Sequence, residues 1–156
     1  MPNLVPKDTV STRVVLFDGQ VVSGGFFVSE VSSIHAGPET VLDVLNDEER
    51  SFIPFQSDSG VLLLNRTTIR MVEVDSHELK DIFLRPDNEY IFAMQIVLRT
   101  ELKETTYAGC CYTGELHPEA RRPVDLLNSR DMFILLFSGG KILLFNKHAI
   151  SHASVE

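Results

Sequence analysis

His148 and His152 stand four residues apart, the spacing at which one helix face can hold a metal ion. In a strand the same spacing separates the two rings by about 13 Å. The residues around them, Ile150–Val155, read as strand, so no metal site is expected there. Cys110 and Cys111 are adjacent, which strains any disulfide between them. On a strand one thiol packs inward and the other points away. No second cysteine pair completes a metal or redox site. His77-Glu78 lacks the second histidine of a zinc-protease helix, and Gly24-Gly25 and Gly139-Gly140 lack the Lys-Ser/Thr of a phosphate loop. No nucleophile-elbow pattern is present. The run Asp47-Glu48-Glu49 reads as a solvated loop face. These readings predict a protein that is not an enzyme, with no catalytic residue, cofactor or metal.

The elements that would position such residues are strands. Val14-Val15-Leu16-Phe17 precedes Asp18-Gly19 and then Val21-Val22, a strong hairpin signal. The second strand continues through Gly24-Gly25 to Val28, and paired glycines inside a strand predict a sharp bend or bulge. Further strands are expected at Ser51–Gln56, Val61–Leu64 and Ile69–Val74. A second series follows: Ile96-Val97-Leu98, Thr106–Thr113, Met132–Phe137, Ile142–Phe145 and Ile150–Val155. Gly139-Gly140 reads as a hairpin turn.

The second series follows the order of the first. Residues 52–69 and 133–150, 81 positions apart, are identical at 7 of 18 places: Phe52/Phe133, Ile53/Ile134, Ser57/Ser138, Leu62/Leu143, Leu63/Leu144, Asn65/Asn146 and Ile69/Ile150. Unrelated sequence would give about 1. Asp43-Val44-Leu45-Asn46 aligns with Asp125-Leu126-Leu127-Asn128, and Gly24 with Gly109. The chain therefore reads as two copies, 10–75 and 93–155, joined by a connector at 76–92. One short helical turn precedes the third strand of each copy, Glu39–Leu45 in the first and Pro123–Leu127 in the second. Asn46 and Asn128 are expected to end those turns, with the nearby leucines in the core. In the connector, Ser76 caps a short helix carrying Leu79, Ile82 and Phe83 on one face, stopped at Arg85-Pro86. The expected fold is all-β: two tandem five-stranded small barrels, Sm-like or SH3-like, each with one short helical turn.

Composition bounds the function. The 156 residues are 44% apolar and 23% charged, which excludes a disordered chain. No apolar run is long enough for a membrane span, and the N-terminus lacks the basic and apolar regions of a signal peptide. Two cysteines and no leader predict a reducing, cytoplasmic setting. The net charge of −8 disfavours nucleic acid as a partner. That charge is uneven: residues 1–116 carry 9 basic and 18 acidic side chains, net −9, and residues 117–156 carry 5 and 4, net +1.

The segment Lys147-His148-Ala149-Ile150-Ser151 resembles the second Sm motif of the bacterial Sm-like RNA chaperone family, Hfq. Phe133-Ile134-Leu135-Leu136 is similar to that family's third strand, and Leu16-Phe17-Asp18-Gly19 with Gly24 resembles the first Sm motif. The first copy departs from the pattern, with Arg66-Thr67-Thr68 in place of Lys-His-Ala. The resemblance implies an Sm-like barrel in which Lys147 and His148 contact RNA, helped by Arg121, Arg122 and Arg130. It also implies association into rings through the fourth and fifth strands, and hence a homo-oligomer. Two functions are thus expected: a non-enzymatic interaction or scaffold module that binds a protein partner or itself, or an RNA binder using the second copy.

Overall fold

The computed structural model describes residues 7–30, 32, 39–75 and 89–155. The connector helix expected at Ser76 to Phe83 and the His77-Glu78 pair lie outside the described residues.

Among the described residues, ten strands form one antiparallel sheet. In the first half they are β1 (Lys7–Leu16), β2 (Val21–Ser29), β3 (Phe52–Ser57), β4 (Gly60–Asn65) and β5 (Ile69–Val74). In the second they are β6 (Ile91–Arg99), β7 (Glu104–Tyr112), β8 (Phe133–Ser138), β9 (Lys141–Asn146) and β10 (Ile150–Val155). A six-residue helix, α1 (Val41–Asn46), precedes β3, and α2 (Pro123–Leu127) precedes β8. A single 3₁₀ turn joins β4 to β5 at Arg66–Thr68 and β9 to β10 at Lys147–Ala149. From β3 to β5 each element has its counterpart 81 positions later.

The strands follow the predicted positions with longer arms. β1 begins at Lys7 and β6 at Ile91, each several residues earlier than expected. Both are long because they pair along their whole length with β2 and β7. Between α1 and β2 the helix is fixed by Thr40, whose hydroxyl accepts from Asp43 N at 3.2 Å while Asp43 Oδ2 accepts from Thr40 N at 2.9 Å. α2 opens on Pro123, as predicted, and Asp125 accepts from Arg122 N.

At Gly24, where the sequence predicts a bend or bulge, the pairing of β2 with β1 runs through without a register shift, and the strand passes close to another backbone. A Cβ on Gly24 would lie 2.1 Å from the Gln56 carbonyl oxygen, and one on Gly109 would lie 2.3 Å from that of Phe137. Gln56 and Phe137 are themselves 81 apart. In each half the strand must pass another backbone too closely for any side chain. Pairing at that joint is brief: β2 meets β3 at Gly25 and Phe26, and β7 meets β8 at Cys110.

The sheet corrects the expectation of two closed barrels. Its strand order is β10-β6-β7-β8-β9-β5-β1-β2-β3-β4, open at both ends among the described residues. Each half has its fifth strand beside its first, and the halves join where β5 pairs with β9. This seam makes the cores interdependent. The first core, built on Val14, Phe26, Leu45, Phe55, Ile69 and Val72, also takes Phe133, Leu135, Ile142 and Leu144 from the second half. The second core, built on Met94, Ile96, Leu136 and Phe145, takes Met71 from the first.

Candidate interaction surfaces

The residues singled out for RNA contact sit around α2 and the turn after β9. Lys147 is half-buried. Its amine donates to Ser129 O and Ser129 Oγ, both at 2.9 Å. Burial pulls its pKa below the ordinary lysine value, opposed by the nearby Asp131 carboxylate. Burial also raises the pKa of Asp131. Arg121 donates from Nε to Leu116 O at 3.0 Å and lies 4.6 Å over the Tyr90 ring. Arg122 pairs with Asp125 at 3.0 Å, and that hydrogen bond holds the carboxyl below its usual range. His148 and Arg130 are exposed. The structure therefore gathers these side chains near one another but gives three of the five a protein partner.

The other singled-out groups make no reactive cluster. Among the described residues no three His, Cys, Asp or Glu side chains group to hold a metal ion. His148 lies in the 3₁₀ turn and His152 in β10. Both thiols are free. Cys111 is buried and Cys110 half-buried, as alternation on a strand requires. Burial pushes the Cys111 thiol up to about 11. Among the described residues no helix is long and apolar enough to cross a membrane.

A cleft of about 430 Å³ lies between the β1–β2 turn and the far end of the β6–β7 hairpin. Its walls include Leu98 and Tyr107 and three cations, Arg13, Arg70 and Lys103. Arg70 is anchored by donation to Phe17 O, and its guanidinium lies 5.7 Å from the Phe17 ring centre. Sequence reading missed this grouping because the three cations come from β1, β5 and the β6–β7 turn, with no local pattern to link them.

The seam is held by more than strand pairing. Its register sets Met71 against Phe145, Val72 against Leu144, Glu73 against Leu143 and Val74 against Ile142. Two asparagines extend it. Asn146, fully buried, donates from Nδ2 to Ile69 O at 2.9 Å and accepts at Oδ1 from His148 N. Asn46, at the end of α1, accepts from Phe133 N at 2.8 Å and donates to Phe133 O at 3.1 Å. Its amide thus pairs with β8 as a short strand would. The sequence pointed to Asn46 as a helix end; its second role, as a clamp on the opposite half, is a tertiary fact that spacing does not carry.

The outer edges are the reverse of the seam. β4 borders solvent and carries Phe52 (on its partner β3), Val61 and Leu63 at 58%, 58% and 66% exposure. β10, at the other end, is exposed at His152, Ser154 and Val155. Long apolar edge strands recruit other strands, because their N–H and C=O groups lack partners. A search with the chain finds no matching family model, no matching curated protein and no matching solved structure.

Proposed function

We propose that this chain is a non-enzymatic interaction module, built from two copies of an Sm-like unit, that binds protein partners by strand addition at its outer edges. The carrying observation is β4, an edge strand with no strand on its outer side among the described residues, bearing Val61, Leu62 and Leu63 in the open. An extended apolar segment laid along it would satisfy its backbone groups and cover those side chains. The shared strand order of the two halves, with the fifth strand beside the first, supports the two-copy, Sm-like reading. Two free thiols are in keeping with a cytoplasmic setting.

The test compares affinity capture from a cell lysate by the wild-type chain and by Leu63→Lys. Circular dichroism checks that both are folded. The proposal expects proteins captured by the wild type to be lost with Leu63→Lys. Equal capture by both overturns it. Capture of RNA at low salt, lost in Lys147→Ala, would replace it with the RNA reading.

A further inference from the structure

The cleft between the β1–β2 turn and the β6–β7 hairpin is built by both halves of the chain. Strands β7, β8, β9 and β5 lie between β6 and β1 in the sheet, so the cleft exists because the sheet curls. The second core holds that curl. It packs Val15, Phe17 and Met71 from the first half with Ile96 and Leu98 from the second. Beside this packing the two walls stand apart and enclose about 430 Å³. Small-molecule sites span about 300–1,000 Å³, so the space suits a compact organic ligand.

The charged lining has one sign. Arg13 and Arg70 come from the first half and Lys103 from the second, and no acidic side chain lines the cleft. With 22 acidic and 14 basic side chains, this chain has carboxylates to spare for pairing its cations. Arg50, Arg122 and Lys141 each pair with one. Among the described residues none of the three cleft cations does. The carboxylate opposite Arg13 in the β1–β5 register, Glu73, is bound by Lys141 at 2.9 Å. Glu104, next to Lys103, opens β7, where alternation sends its side chain to the face opposite Thr105 and Tyr107.

The cleft groups are positioned but not satisfied. Arg70 donates to Phe17 O and lies 5.7 Å from the Phe17 ring centre. These contacts fix the guanidinium and leave its Nε buried with no acceptor among the described residues. A buried charged donor without an acceptor costs free energy, and an anion bound beside it offsets that cost. Thr100 Oγ1 donates to Lys103 O at 2.8 Å and accepts from Lys103 N at 3.2 Å, which closes the turn that carries Lys103. The Tyr107 ring packs on Phe145 with centres 5.2 Å apart, and its hydroxyl has no partner among the described residues. Met71, Leu98 and Val15 supply the apolar part of the lining.

We propose that this cleft binds a small organic anion, a carboxylate or a phosphate carried on an apolar body. The anionic group sits among Arg13, Arg70 and Lys103, and the body lies against Met71, Leu98 and Tyr107. The site is separate from the edge proposed for strand addition, because no residue of β3, β4 or β10 lines it. It is also separate from Lys147 and His148, which take no part in its walls. Both halves contribute to the walls, so a ligand held between them binds the folded chain alone and stabilises it by mass action.

The test follows the methionine methyl resonances by nuclear magnetic resonance, with Met71→Leu used for assignment. Naphthyl phosphate and naphthoate at millimolar concentration are the probes, and neutral naphthol is the control. Either anion is expected to shift the Met71 methyl saturably and to raise the melting temperature; naphthol is expected to do neither. The tighter of the two anions names the anionic group. Arg13→Ala with Lys103→Ala removes two exposed cations and is expected to weaken binding about tenfold or more. Lys103→Gln alone, the milder variant, is expected to weaken it in the same direction, and circular dichroism checks that each variant is folded. Arg130→Ala, an exposed cation outside the cleft, and Leu63→Lys, on the β4 edge, are expected to leave binding unchanged. No shift of the Met71 methyl with either anion overturns the proposal. So does an equal shift with naphthol, which means apolar contact alone, or equal loss of binding in Arg130→Ala. A Met71 shift given by a short RNA or an acidic peptide and by neither small anion also overturns it, and assigns the cleft to a macromolecule.

Discussion

Leu144 and Leu63 are the same residue at matching places, 81 positions apart, in the strand that follows the third-strand hairpin of each half. Leu144 is 1% exposed and Leu63 is 66% exposed. The difference lies in what stands next to each strand. β9 has β5 on its outer side, and β4 has no strand there among the described residues. Likewise Asn46 holds the Phe133 backbone while Asn128 holds none, although both close a helix of similar sequence. The comparison teaches that the same leucine is buried or bare according to whether a strand lies beside it.

That comparison is broken or sharpened by paired substitutions, measured by urea denaturation at concentrations low enough to hold the chain monomeric. Leu144→Ala is expected to cost about 2–5 kcal/mol, since it empties a site shared by both halves. Leu63→Ala under the same conditions is expected to change stability by less than about 0.5 kcal/mol. Equal losses at the two sites would break the comparison. Gly24→Ala and Gly109→Ala, by contrast, are expected to cost the same, about 1–3 kcal/mol, because each drives a Cβ into a backbone carbonyl at the joint. Asn46→Ala is expected to cost about 1–3 kcal/mol by stripping the Phe133 N–H and C=O of their partner, and Asn128→Ala close to nothing.

Two smaller effects complete the series. Cys111 is held as the neutral thiol by burial, with its pKa raised from 9.0 to about 11. Its contribution to stability is therefore full below pH 9 and is lost as pH rises from 9 toward 11. Denaturation of wild type and Cys111→Ala across that range is expected to show a decline in the wild type only. Lys141→Ala removes a seam ion pair of 2.9 Å whose lysine is mostly exposed to screening solvent, and is expected to have the smallest effect on stability of the series.

The architecture was legible where chemistry is local. Asp18-Gly19 and Gly139-Gly140 marked their hairpins and Pro123 marked the start of α2; Gly24 read as a bend or bulge and proves to be a close approach of strands. The 81-residue shift anticipated the matching spans from β3 to β5 and from β8 to β10. What was not legible is how the halves meet. Closing each half on itself or opening both into one sheet satisfies the same alternation of apolar residues. The choice is made by β5 pairing with β9, a contact between residues about 70 apart in sequence. For the same reason Asn46 read as a helix end and not as a clamp. Lys147 read as a free cation, and its amine proves to be bonded to Ser129, a residue 18 positions earlier.

The most direct test of the account is amide hydrogen exchange on β4 and β10 across a range of protein concentrations, with β5 and β9 as internal standards. The account predicts that β5 and β9 are protected at every concentration. It predicts that β4 and β10, the two end strands of the sheet, exchange faster than β5 and β9. Exchange of β5 and β9 as fast as that of β4 and β10 would contradict it.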